Sequence, residues 1–77
     1  MKKKIAILGS TGSIGQTTIK IVKKDKKNFE LILLSTNNNL KEITKQIQEL
    51  RPKNLVINKK KYYLKLKRKF KKINVFN

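Results

Sequence analysis

Lys3-Lys4-Ile5-Ala6-Ile7-Leu8-Gly9-Ser10-Thr11-Gly12-Ser13-Ile14-Gly15 decides how the rest of this chain is read. A short apolar run breaks into three glycines at three-residue spacing and then resumes with helical periodicity. The pattern predicts a strand, a phosphate-binding turn and a helix. Gly9 would permit the tight turn, Gly12 would let the backbone approach a pyrophosphate, and Gly15 would let the helix pack closely on the strand. The helix N-terminus behind the turn offers free N–H groups and the positive end of a dipole. A P-loop is excluded, because Ile14 stands five residues after Gly9 and Gln16, not lysine, follows Gly15. The competing reading is a tight strand-to-helix turn with no ligand.

Outward from the turn, Lys4 to Leu8 is the first strand, expected to be buried on both faces of a parallel sheet. Ser13 to about Lys24 is a helix whose apolar residues are Ile14, Ile19, Ile21 and Val22, with lysines at its C-terminal end where the dipole favours cations. Phe29 to Leu34 is a second strand, followed by the polar loop Ser35-Thr36-Asn37-Asn38-Asn39. Asn39 with Glu42 forms a variant capping box, and Leu40, Ile43, Ile47 and Leu50 share one face of the helix behind it. Arg51-Pro52 ends that helix. Leu55 to Ile57 is a third strand, Lys59 to about Lys71 a third helix with Tyr63, Leu66 and Phe70 on its apolar side, and Ile73 to Phe76 a fourth strand.

The alternation βαβαβαβ predicts an α/β fold, a partial Rossmann-like three-layer unit with a parallel sheet. Counted along the chain, the expected strand order is 3-2-1-4, with a ligand crevice above the C-terminal ends of the first and fourth strands. Residues 1–77 are thus read as an incomplete Rossmann domain.

Composition sets the outer bounds. A chain of 77 residues buries only roughly 60% of the surface its unfolded form exposes, so its independent stability is marginal. With no cysteine and no histidine there is no disulfide, thiolate metal site or imidazole base. The formal net charge of +17 raises a polyanionic partner. The lysines are spread over the chain, however, and accompany abundant isoleucine and asparagine, as base-composition bias in the gene would produce. Met1 to Lys4 followed by Ile5 to Leu8 is too short in its apolar part for a secretory leader, and no stretch reaches transmembrane length. The expected location is the cytoplasm.

The loop at the end of the second strand bears on the cofactor. An NAD-binding domain usually places an acidic residue there for the ribose 2′-OH. Ser35 to Asn39 has none, its amides can donate to a 2′-phosphate, and Lys41 is near, so NADP(H) is favoured over NAD(H).

The run from Lys3 to Gly15, Phe29 ahead of the second strand, the asparagine loop, and Gln46 to Pro52 together resemble the amino terminus of the 1-deoxy-D-xylulose 5-phosphate reductoisomerase family. The resemblance implies isomerisation and reduction of the phosphosugar 1-deoxy-D-xylulose 5-phosphate to 2-C-methyl-D-erythritol 4-phosphate, on the non-mevalonate route to isoprenoids. It also implies NADPH, Mg²⁺ or Mn²⁺, and a homodimer. The cofactor-binding residues it implies are Gly9, Thr11, Gly12, Ser13, Ile14, Gly15, Asn37, Asn38 and Asn39. Asn37 stands where the family commonly has glycine and Asn38 where it often has a basic residue. The second difference removes a charge-assisted hydrogen bond of about 1.5–3 kcal/mol unless another group supplies it. The family's metal-binding carboxylates, substrate site and C-terminal domain have no counterpart here, so no catalytic residue or metal ligand is assigned. The chain is read as a fragment that does not turn over substrate alone.

Two other readings are carried forward. One is a small basic protein whose Lys59-Lys60-Lys61 and Lys65 to Lys72, with Tyr62, Tyr63 and Phe70, engage nucleic acid or an acidic surface. The other is a different NADP-dependent dehydrogenase with a similar turn.

Overall fold

The computed structural model describes residues 2–77. Met1, the first residue of the charged stretch considered above as a leader, lies outside the described residues. The strands are β1 (Lys3–Ile7), β2 (Phe29–Thr36), β3 (Asn54–Ile57) and β4 (Asn74–Phe76), and the helices are α1 (Ser13–Lys24), α2 (Leu40–Leu50) and α3 (Lys60–Lys69), in strict alternation. A single 3-10 turn over Lys26–Asn28 joins α1 to β2.

The alternation and the parallel sheet agree with the sequence, but the strand order does not. The sheet runs β1-β2-β3-β4, with β4 on the far side of β3, not beside β1. Side chains explain part of this choice. The Asn74 backbone N–H donates to the Lys53 carbonyl at 2.9 Å, and the Asn74 amide donates to Asn54 Oδ1 at 3.2 Å. Beyond the strand, the Asn77 amide donates to the carbonyls of Ile57 (2.8 Å) and Asn58 (2.9 Å). Val75 is buried beside Leu55. Apolar periodicity marks the strands but not the direction of the last crossover, and the amide-bearing Asn54 and Asn74 were the available clue.

The order has a consequence for the layers. Each crossover moves one place in the same direction, so right-handed connections put α1, α2 and α3 on one face. One core accordingly joins Ile19 and Val22 of α1, Ile43 and Ile47 of α2 and Leu66 of α3 to Ile7, Leu31, Leu34, Leu55, Ile57 and Val75 of the strands. The described chain is therefore two layers, not three, and its thinnest extent is 15 Å. The opposite sheet face is uncovered. β1 is consequently not buried on both faces: Lys4 and Ala6 are exposed, and Leu8 just beyond it is 73% exposed.

Register is regular except at one place. Ile5 pairs with Leu31 and Ala6 with Leu33, so β2 carries one extra residue, Ile32, at a bulge. In α1 the buried stripe is Gly15, Ile19 and Val22, whereas Ile14 and Ile21, expected on the same face, point outward. At the start of α2, Asn39 Oδ1 accepts the Glu42 N–H (3.2 Å) as the capping pattern predicts. Arg51 closes the helix with a left-handed φ of 48°, its N–H donating to the Ile47 carbonyl at 2.8 Å, and the buried Pro52 follows.

Candidate functional site

The turn between β1 and α1 is held from three sides. From β2, Ser35 Oγ accepts the Gly9 N–H (3.0 Å), the Ser35 carbonyl accepts the Ser10 N–H (2.8 Å), and the hydroxyls of Thr11 and Thr36 lie 2.7 Å apart. From α1, the Gln16 amide donates to the Thr11 carbonyl at 2.7 Å. From α2, the buried Gln46 donates to the Ser10 carbonyl at 2.9 Å. Buried polar groups need such partners, and these bonds also fix the turn, although Ser10 Oγ and Gln46 Oε1 stay buried without a partner among the described residues.

The glycines divide the work. Gly9 has φ +67°, the left-handed region that an L side chain rarely adopts. Gly15 is buried, and a Cβ there would clash with the Gly9 carbonyl oxygen and stand 2.7 Å from Ser10 Cα. It packs α1 onto the turn itself. Gly12 is exposed, and a Cβ there would meet only the Gly9 oxygen at 3.5 Å, an ordinary contact. Nothing among the described residues requires glycine at this position.

Gly12 is also the N-cap of α1, which has no side-chain cap and no acid in its first turn. The positive end of that helix is thus uncompensated. Two open depressions meet at the turn. A cleft of about 540 Å³ runs from Gly9, Thr11 and Gly12 to Asn37, Asn38 and Asn39, floored by Leu33 and Val56, and no charged side chain lines it. On the other side, at the free edge of β1, a depression of about 520 Å³ is lined by Ala6, Gly9, Gly12, Ser13, Ile14 and Gly15, among others.

All nine residues singled out in the sequence therefore line one depression or the other, with Gly9 and Gly12 lining both. Their individual positions differ. The Thr11 hydroxyl is engaged by Thr36, Ser13 is exposed, and Ile14 is 82% exposed. Asn37 Oδ1 accepts from the Asn58 amide at 2.7 Å, and the Asn37 carbonyl accepts the Lys59 N–H at 3.2 Å, so the loop is pinned to the end of β3. Asn39 is spent on the α2 cap. Asn38 is exposed, and its side chain makes no hydrogen bond among the described residues. The crevice lies over the ends of β1, β2 and β3, because β4 is on the far edge.

The sequence reading missed the bracing by Ser35, Thr36 and Gln46. Gln46 left a signal: it falls three residues after Ile43 on the apolar face of α2, where a polar side chain must find a buried partner. The sequence pattern places Ser35 and Thr36 in a loop, whereas β2 continues through them.

Glu42 accepts a hydrogen bond from the bracing Gln46 amide at 3.3 Å, whereas Glu30 and Glu49 stand apart from this site. The Lys53 ammonium bonds to Glu30 at 3.0 Å and Lys23 pairs with Glu49, and each contact holds its carboxyl below the usual glutamate value. Among the described residues no three His, Cys, Asp or Glu side chains come together as metal ligands, and no helix is long and apolar enough to cross a membrane. The donor set for a divalent metal is thus not found in these residues.

Comparison with known proteins gives one consistent result. The family model described as 1-deoxy-D-xylulose 5-phosphate reductoisomerase matches residues 5–76. The Pelagibacter ubique protein of that description is 44% identical over 77 residues, covering 97% of this chain and 20% of the relative. That of Porphyromonas gingivalis is 49% identical over 65 residues, covering 83% and 17%. Among solved structures, the reductoisomerase of Zymomonas mobilis in complex with NADPH superposes with a TM-score of 0.90 at 24% identity, over 99% of this chain and 21% of that one. A reductoisomerase bound to NADPH, fosmidomycin and magnesium gives 0.86 at 22% identity, over 96% and 19%. The chain spans about one fifth of the length of these relatives.

Proposed function

This chain belongs to the 1-deoxy-D-xylulose 5-phosphate reductoisomerase family, and on that premise we propose that it is the NADPH-binding part of such an enzyme. The observation that carries the reading is Gly12: exposed, free of any internal need for glycine, and standing at the uncompensated N-terminus of α1 between two depressions. A side chain is missing where a ligand's pyrophosphate would pass.

In this reading the pyrophosphate crosses Gly12 and Ser13 and accepts hydrogen bonds from the first N–H groups of α1. The adenosine half lies in the uncharged cleft toward Asn37, Asn38 and Asn39, and the nicotinamide half lies toward Ile14 at the free edge of β1. Gly9 and Gly15 keep the turn in shape, and Thr11 lines the cleft with its hydroxyl fixed by Thr36. NADPH supplies a hydride when bound; what these residues contribute is its binding and orientation.

The activity of the longer relatives is assigned by the same reading. It is reduction and isomerisation of 1-deoxy-D-xylulose 5-phosphate to 2-C-methyl-D-erythritol 4-phosphate, in the cytoplasm, by a homodimer. The substrate and a divalent metal would be held by residues that these 77 do not include. The test is titration of the chain with NADPH and with NADH by fluorescence. Saturable binding with NADPH preferred, lost in Gly12→Val while the circular dichroism spectrum is kept, is the expected result. Equal binding of wild type and Gly12→Val, or none by wild type, would overturn it.

A further inference from the structure

The cleft that takes the adenosine half in the proposed reading has no charged lining, yet the cofactor preferred there carries a 2′-phosphate dianion. Asn38 and Asn39 line that cleft and also a second, adjoining groove of about 760 Å³ between α2 and α3. This groove is of opposite character. Lys41 of α2 and Lys65 and Lys69 of α3 line it, together with Tyr62, and no acidic side chain does. Lys59 Nζ lies 5.7 Å from the centre of the Tyr62 ring, adding a fourth cation at that ring.

We infer that the α2–α3 groove is the 2′-phosphate pocket of this chain, with Lys41, Lys65 and Lys69 supplying the cations that the Ser35–Asn39 loop lacks. The inference rests on the NADPH-binding reading and deepens it. The loop is pinned by Asn58 and Lys59, so Asn38 and Asn39 are held as the sill between the uncharged cleft and the basic groove. A ribose lying over that sill directs its 2′ substituent into the groove. All three lysines are exposed and flexible, which suits a terminal phosphate that must be met without full desolvation of the ammonium groups. The discrimination is carried by two helices, one of which, α3, follows the third strand.

The test uses the 77-residue chain and two small probes that lack the nicotinamide, 2′,5′-ADP and 5′-AMP. Wild type should bind 2′,5′-ADP at least about tenfold more tightly, the scale of one charge-assisted contact. Lys41→Gln/Lys65→Gln/Lys69→Gln should bring the two affinities within about twofold of each other. A charge-matched control on other surfaces, Lys20→Gln/Lys24→Gln/Lys72→Gln, should keep the wild-type ratio, which separates a pocket from the general field of the protein. The inference is overturned if the groove variant keeps the ratio, if the control loses it equally, or if wild type does not distinguish the probes. A wild type that binds NADPH in preference to NADH while the groove variant keeps that preference removes the groove alone. A wild type that binds neither NADPH nor 2′,5′-ADP removes the cofactor reading with it.

Discussion

The amide of Gln46, inside α2, donates to the backbone carbonyl of Ser10 in the glycine turn at 2.9 Å, across 36 positions of sequence, and both residues are buried. One side chain thereby ties the second helix to the turn that the first strand leads into. Gln46→Met keeps most of the volume and removes the donor, leaving the Ser10 carbonyl unpaired. The expected cost is about 1–3 kcal/mol, a large fraction of the stability of a domain this small. Thermal unfolding should show a midpoint lowered by about 4–8 °C for each kcal/mol. An unchanged midpoint would mean that Ser35, Thr36 and Gln16 hold the turn without help from α2.

Gly15 and Gly12 should fail in opposite ways. At Gly15 an added methyl meets backbone, with Ser10 Cα at 2.7 Å and Ser10 C at 2.8 Å, and backbone cannot swing aside. Gly15→Ala should cost about 1–3 kcal/mol or more through overpacking. Gly12→Ala should leave stability within about 0.5 kcal/mol while weakening NADPH, because its Cβ occupies ligand space. Paired denaturant curves and NADPH titrations check both, and the prediction fails if the two glycines behave alike.

Much of this was legible in the sequence because the signals are local. The Gly9 turn, the Asn39 cap on Glu42 and the stop at Arg51-Pro52 each depend on residues within a few positions of one another. What was not legible depends on the path of the chain in space. The choice of β3 over β1 as neighbour of β4 is supported by Asn74 and Asn77 bonding to residues about 20 positions earlier, and apolar periodicity is the same for either choice. The uncovered sheet face follows from that choice, which is why Ala6 and Leu8 are exposed although they sit in an apolar run. The residues around the two depressions were legible because a glycine turn announces itself, whereas Lys65 and Lys69 are two of many lysines until α3 is placed against α2.

Arg51 ends α2 with φ 48° and ψ 66°, a conformation that costs a non-glycine residue about 1–2 kcal/mol. Its side chain is exposed and its N–H bond to Ile47 is made by backbone, so Arg51→Gly keeps the cap and relieves the strain. Allowing for the greater freedom of glycine in the unfolded chain, a gain of about 0.5–1 kcal/mol is expected in urea unfolding. A loss would show that the arginine side chain is worth more than its backbone costs.

The 21 lysines and arginines face four acids, which gives the formal net charge of +17, and the described residues hold two ion pairs, Lys23–Glu49 and Lys53–Glu30. Self-repulsion of the lysines therefore outweighs attraction. Screening shortens from about 30 Å at 0.01 M to about 8 Å at 0.15 M ionic strength, against a longest molecular extent of 35 Å. Added sodium chloride should raise the unfolding midpoint over this range and at the same time weaken 2′,5′-ADP binding more than 5′-AMP binding. A midpoint that falls with salt would place the net electrostatic contribution on the favourable side.

The two paired glutamates set the response to acid. Glu30 is held below its usual value chiefly by its hydrogen bond to Lys53, and Glu49 by its bond to Lys23. A carboxyl whose folded pKa lies below its unfolded one contributes stability above the unfolded value, and that contribution is lost as pH falls through the folded one. Stability should thus be level from neutrality to about pH 5 and should decline below about pH 4. The Glu30 and Glu49 side chains keep 33% and 30% of their surface open to solvent, which screens both pairs and makes the decline shallow. In Lys23→Gln/Lys53→Gln each carboxyl loses the largest interaction that lowers it and the decline should flatten, although the variant carries less positive charge at every pH. Urea midpoints between pH 3 and 7 decide the matter, and parallel curves for the two proteins would show that general charge repulsion, not these pairs, governs acid unfolding.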